Sequence, residues 1–117
     1  MDQLLKRSVL ILILDYIWIN YFLINPFSDM INSVQKEPMT VRFGGVLVAY
    51  TSLIFLVNFL IDKIDSDLEA FLTGFAIYAV YDGTNYATLK GWDAKIATVD
   101  SLWGGVLFVL LKKFSGL

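Results

Sequence analysis

The stretch AVYDGTNYATLKGWDAKIATVDSLWGG, residues 79 to 105, joins two apolar runs through a short polar turn. Each run contains an aspartate, Asp82 before the turn and Asp100 after it. An ionised carboxylate near the centre of a lipid bilayer costs at least about 2.5 to 3.5 kcal/mol on insertion scales. If these runs cross a membrane, both aspartates need polar partners inside the protein.

The composition of the whole chain indicates a membrane protein. Of its 117 residues, 57% are hydrophobic, and the mean hydropathy of +0.66 lies outside the range of ordinary soluble domains. Four continuous apolar runs approach the roughly 20 residues that cross a hydrocarbon core, which favours helices over alternating β-strands. We predict an all-α fold, an integral-membrane antiparallel four-helix bundle in which residues 1–117 form a single four-span domain. The predicted spans are residues 8–24, 43–61, 70–89 and 96–111.

Charge and residue usage exclude several functions. The formal net charge is −2 and the basic residues are scattered, so the chain has no electrostatic footprint for nucleic acid. Because it contains no cysteine and no histidine, it has neither thiol chemistry nor the commonest proton shuttle. No cofactor is expected, and any ion or acid–base chemistry must fall to carboxylates, tyrosines or lysines.

The distribution of basic residues favours cytoplasmic termini. Five of them lie on the side of the termini and four on the other side, as the positive-inside rule requires for this orientation. Because the first and fourth runs are short, we expect these helices either to lie close to perpendicular to the membrane or to let the basic side chains at the two ends of the chain snorkel to its surface. These side chains are Lys6, Arg7, Lys112 and Lys113.

The segments between the spans are predicted to be polar connections. Residues 25–42 contain two prolines, and residues 62–69 form an acid-dense turn in which Ser66 or Asp67 caps the third helix. Several aromatic residues at the span ends fit an interfacial belt and require no functional explanation. They include Tyr21, Phe22, Trp92 and Phe114.

Three aspartates fall at a similar depth if the helices alternate in direction. At about 1.5 Å per residue, Asp15, Asp82 and Asp100 lie within roughly 8 Å of one another along the membrane normal, in the half opposite the termini. On the third helix, Tyr78, Asp82 and Asn85 share one face. We expect the three carboxyl groups to face one another or a wet cavity.

Four interpretations of these aspartates stay open. They could be hydrogen-bond partners that hold the bundle together, a pathway that binds or relays a proton or small cation, the polar floor of a pocket for a lipid-like ligand, or part of a membrane enzyme. The enzyme interpretation is less favoured, because no helix carries a pair of acids at i, i+3 or i, i+4 inside the membrane. We predict the proton or cation function, with a lipid- or hydrophobe-binding accessory protein, possibly a subunit of a lipid-modifying assembly, as the alternative. The presence of a metal ion is left open.

An Asp-x-x-Trp motif occurs twice, as DYIW in the first helix and DSLW in the fourth. These motifs, the run YDGTNYATL at 81–89, Trp92 and Gly104 together resemble the pattern of a family of small membrane proteins, domain of unknown function 2177. The pattern is L-D-x-x-W, Y-D-x-T-N-x-A-T-L, W and D-x-x-W-G. The chain departs from the family at two positions: Gly83 stands where a leucine is expected, and Asp93 stands where a proline commonly follows the tryptophan. A glycine beside Asp82 could loosen the third helix.

The resemblance covers nearly the whole chain and implies a four-span fold. It also implies that five positions form the family signature, namely Asp15, Asp82, Asn85, Asp100 and Trp103. With the depth argument, we predict a single proton, cation or ligand site in the bundle interior. Its residues are Asp15, Asp82, Asp100, Asn85, Tyr78, Trp18 and Trp103.

Membrane lipids and a second copy of the chain are the expected partners. Two pairs of adjacent glycines, Gly44-Gly45 and Gly104-Gly105, are predicted to be exposed seams of small residues. Such seams allow helices to approach closely, which would suit a homodimer or another homo-oligomer.

Overall fold

A computed structural model describes residues 2–115, and every regular element in that range is helical. A π-helical turn, Ile19–Leu23, joins the first two helices without a break, and a 3₁₀ turn, Ile61–Lys63, follows the third. Four continuous helical segments therefore form the bundle, which confirms the all-α prediction. The helices are α1 (Asp2–Trp18), α2 (Ile24–Gln35), α3 (Phe43–Leu60), α4 (Asp67–Thr88) and α5 (Ala94–Ser115).

Three helical segments in residues 2–115 are long and apolar enough to cross a membrane, judged by length and composition alone. They are Gln3–Gln35, Phe43–Lys63 and Ala94–Ser115. The 22 residues of α4 give it sufficient length, but Asp82 and Asn85 make its C-terminal part more polar. The third predicted span, residues 70–89, therefore stays a prediction. It is supported by the antiparallel packing of α4 along α5.

The predicted connection at residues 25–42 is wrong for most of its length, because α2 continues the first helical segment as far as Gln35. Pro26 cannot donate a hydrogen bond to the carbonyl of Phe22 four residues earlier. The wider π-helical turn lies at that point, which lets the segment accommodate the proline. Lys36 then adopts a left-handed conformation, with φ of 66°, and ends the helix.

Local hydrogen bonds fix where α4 and α5 begin. Ser66 Oγ accepts a hydrogen bond from the Glu69 amide at 3.1 Å, which confirms Ser66 as the cap of α4. Asp93 Oδ1 accepts from the amides of residues 95 and 96 at 2.7 and 3.1 Å. Asp93 therefore caps α5, and this role explains an aspartate at the position where the family commonly has a proline. Gly83 does not interrupt α4, which is helical throughout.

The closest approach in the bundle is between α4 and α5. Gly74 and Gly104 lie back to back, and a Cβ atom on either glycine would meet the backbone carbonyl oxygen of the other. A Cβ atom on Gly105 would meet the side-chain ring of Phe71. Gly104-Gly105 is therefore buried inside the protomer, and the prediction of an exposed seam there is wrong. At Gly44-Gly45 a Cβ would meet no atom within 4 Å, so the homodimer stays a prediction that rests on this pair.

The end of the bundle that carries the termini contains an apolar core and a buried arginine. Ile11, Val57 and Leu107 are fully buried there. Arg7 is 5% exposed and pairs with Asp62 at 2.6 Å, so the snorkelling alternative does not hold for this residue. The carboxylate of Asp62, in the 3₁₀ turn after α3, offsets the cost of burying the Arg7 guanidinium.

Candidate functional site

The two Asp-x-x-Trp motifs bind each other crosswise. The indole Nε1 of Trp103 donates to Asp15 Oδ1 at 2.9 Å, and the indole Nε1 of Trp18 donates to Asp100 Oδ1 at 3.3 Å. The two indole rings stack between them, with centroids 5.1 Å apart and planes 8° from parallel. Each aspartate therefore receives its hydrogen bond from the tryptophan of the other motif.

The crosswise pairing follows from the spacing and direction of the helices. Aspartate and tryptophan lie three residues apart, about one helical turn. Because α1 and α5 run antiparallel, the tryptophan of one motif stands at the depth of the aspartate of the other. The pairing is reciprocal, because each motif supplies one aspartate acceptor and one indole donor.

Tyr50 brings α3 into the same network. Its hydroxyl donates to Asp15 Oδ2, so that Asp15 accepts one hydrogen bond on each oxygen. Sequence reasoning did not single out Tyr50. The available signal was that Tyr50 is the one tyrosine of α3, a helix composed mostly of aliphatic and phenylalanine side chains.

Asp82 contrasts with the other two aspartates. It is 1% exposed, and neither of its carboxyl oxygens has a hydrogen-bond partner in the described part of the chain. Its polar neighbours are Asp100, Ser101 and Trp92. The indole Nε1 of Trp92 is likewise buried without an acceptor. A carboxyl group and an indole N–H thus lie near each other with unused hydrogen-bonding capacity.

The burial of Trp92 corrects its assignment to the interfacial belt. Trp92 is 5% exposed and packs between Phe27 and Tyr81, with edge-on ring centroids 5.8 and 6.0 Å away. The unexpected helix α2 supplies this contact, since Met30 and Phe27 cover the indole. The belt assignment failed because residues 25–35 were predicted to be a loop.

No basic side chain of residues 3–115 forms an ion pair with the aspartate site, which we define as Asp15, Asp82 and Asp100. Within residues 3–115 the ion pairs are Arg7 with Asp62 and Lys113 with Asp67, both toward the end of the bundle that carries the termini. No group of three potential metal-ligating side chains occurs in the described residues. The negative charge of any ionised aspartate must therefore be balanced by hydrogen-bond donors, by a proton or by a cation from outside the chain.

A cavity of about 560 Å³ opens beside the site. Asp15 and Asp100 form part of its wall together with the hydroxyl-bearing rings of Tyr50, Tyr78 and Tyr81. Most of the remaining wall is apolar and comes from the π-helical turn, α2 and α3. These residues include Leu23, Phe27, Leu53 and Leu56.

The structure brings together most of the predicted site residues. Asp15, Asp100, Trp18 and Trp103 form the crosswise network, Tyr78 lines the cavity, and Asp82 lies beside Asp100. Asn85 is the exception among the predicted residues. Its amide lies near Tyr81, one turn beyond Asp82, and forms no hydrogen bond with any of the three aspartates.

Residues 3–115 match the family described as predicted membrane protein (DUF2177). The chain belongs to this family. No curated protein matches the chain, and no solved structure does. The family and the apolar helices together establish an all-α protein of the membrane.

Proposed function

We propose that the protein binds a proton or a small cation at its aspartate site and carries it across the membrane. The observation that supports this function is a set of three buried carboxyl groups, with Asp100 a neighbour of both Asp15 and Asp82, that has no basic ion-pair partner among residues 3–115. Carboxyl groups within membrane segments are expensive to keep and commonly form ion or proton pathways.

The three aspartates have different roles in this proposal. Asp15 is held by Tyr50 and Trp103 and acts as a fixed negative group. Asp100 faces the cavity and is the first group that an entering cation meets. Asp82 lies behind it with both oxygens free, and accepts the proton or cation from Asp100.

The test is flux into liposomes that contain the purified protein. Proton, Na⁺ and K⁺ gradients are imposed across the liposome membrane, and the variants Asp15→Asn, Asp82→Asn and Asp100→Asn are compared with the wild type. Asp65→Asn is the matched control, because Asp65 is an exposed aspartate in the turn before α4. We expect saturable flux in the wild type and in the Asp65→Asn control. We expect this flux to be lost in Asp82→Asn and in Asp100→Asn.

The alternative is an accessory protein that binds a lipid or small hydrophobic molecule, alone or as a subunit of a lipid-modifying assembly. The apolar wall of the cavity favours it. A ligand-binding protein would show no flux for any of these ions, while its aspartate variants would still fold and would lose ligand. Silence of the wild type in all three gradients would therefore reject transport in favour of this alternative.

A further inference from the structure

The cavity combines two chemistries that together specify a ligand. One part of its wall is acidic, with Asp15 and Asp100, and the remainder is largely apolar or aromatic. A bare metal ion or a proton would leave most of a space of about 560 Å³ unused, whereas this volume is within the range of pockets for organic molecules. The wall therefore fits a molecule with an apolar body and a positively charged group.

The described residues of the wall include no lysine or arginine, which disfavours a large class of amphiphiles. Phospholipids carry a phosphate, and a phosphate beside Asp15 and Asp100 would meet like charge without a lysine or arginine among the described lining residues. Burying such an unpaired anion is costly. Charge complementarity instead favours a cation, and the tyrosine and tryptophan rings of the wall add attraction for it at close range.

We propose that the cavity binds a lipophilic organic monocation, such as an amphiphilic amine or a quaternary ammonium compound. The charged group lies against Asp100 and Asp15, and the apolar body extends toward Leu23, Phe27 and Leu53. This inference rests on the proposed cation function of the aspartate site. It extends that function by naming the organic cation as a competitor of the proton or small cation at Asp100.

The first experiment uses two probes of the same shape and opposite charge, tetraphenylphosphonium and tetraphenylborate. Equilibrium binding of each probe to the reconstituted protein is measured, with protein-free liposomes subtracting partition into lipid. Saturable binding of the phosphonium and none of the borate is expected. Equal saturable binding of both ions, or of neither, would overturn the proposal, because charge would then not select the ligand.

Two substitutions at alanine positions locate the site and leave every aspartate unchanged. Ala49 lines the cavity on α3, so Ala49→Trp should fill it and weaken phosphonium binding at least tenfold. Ala76 is exposed on α4 away from the cavity, and Ala76→Trp should bind as the wild type does. Helical content by circular dichroism checks that both variants fold. Undiminished binding by a folded Ala49→Trp would overturn the assignment of the cavity.

The acidic group is tested by Asp100→Asn, which should also lose at least tenfold in phosphonium affinity. Rising proton or Na⁺ concentration should weaken phosphonium binding to the wild type, because the ions share Asp100. Retention of proton flux without phosphonium binding would reject the organic cation and leave the proposed function standing. Phosphonium binding that requires Asp100 in a protein with no flux would reject transport and leave this ligand class standing.

Discussion

The α4–α5 pair is closely packed, whereas helix α3 packs more loosely against the rest of the bundle. Gly74 and Gly104 let α4 and α5 approach to backbone contact, and α5 is the most buried helix of the bundle. Helix α3 instead has one fully buried residue, Val57 near its C-terminal end, and reaches the site through the Tyr50 hydroxyl. Close packing in one half fixes the positions of Asp82 and Asp100, while looser packing in the other leaves room for a cavity beside them.

The largest expected effect comes from closing the space between α4 and α5. In Gly104→Ala the new Cβ would lie about 2.5 Å from the Tyr78 ring and 2.6 Å from the Gly74 carbonyl oxygen. Because backbone atoms cannot move away cheaply, we expect a loss of about 1–3 kcal/mol in the free energy of unfolding. Thermal denaturation in detergent, followed by circular dichroism, measures it.

Gly45→Ala is the matched control for that change. A Cβ at Gly45 meets no atom within 4 Å, so alanine should keep or slightly raise the stability of the protomer. If Gly104→Ala and Gly45→Ala had the same unfolding temperature, the close approach of α4 and α5 would be contradicted.

A smaller effect is expected from the link between α3 and the site. Tyr50→Phe removes the hydroxyl that donates to Asp15 and retains the ring. Hydrogen bonds between membrane helices contribute about 0.6 kcal/mol on average and about 1.7 kcal/mol at most, so the loss should fall in that range. Tyr16→Phe, on the exposed face of α1, should have no effect. Equal behaviour of the two variants in denaturation would contradict the Tyr50–Asp15 contact.

The crosswise pairing predicts which double variants are non-additive. Asp15→Asn weakens and Trp103→Phe removes the same hydrogen bond, so their costs in unfolding free energy should be coupled by about 0.5 kcal/mol or more. Asp15→Asn and Trp18→Phe affect different bonds and should be more nearly additive. Stronger coupling within the α1 motif than between motifs would contradict the arrangement.

The smallest effect is expected at the exposed ion pair of Lys113 and Asp67. Their atoms are 3.0 Å apart, but both side chains are more than half exposed. Such pairs contribute little, so Lys113→Gln should change the unfolding free energy by less than about 0.5 kcal/mol. A loss as large as that of Gly104→Ala would mean that this end of the bundle contributes more to stability than its exposure indicates.

The sequence predicted the all-α fold from hydropathy, and the helical rise placed the three aspartates at similar levels along antiparallel helices. The sequence did not predict that each aspartate of the repeated motif pairs with the tryptophan of the other copy. It could not identify Tyr50 or Trp92 as neighbours of the aspartates. The Tyr50 contact depends on how α3 packs against α1, and the packing of Trp92 depends on the helix continuing through Pro26. Neither feature can be read from a local sequence pattern.

The most direct measurement is the nuclear magnetic resonance spectrum of the three indole N–H groups in the ¹⁵N-labelled protein. The chain contains three tryptophans, and single Trp→Phe variants assign their signals. The crosswise pairing predicts that Asp15→Asn chiefly shifts the indole signal of Trp103, and that Asp100→Asn chiefly shifts that of Trp18. If each aspartate instead perturbed the tryptophan of its own motif, the crosswise site would be contradicted.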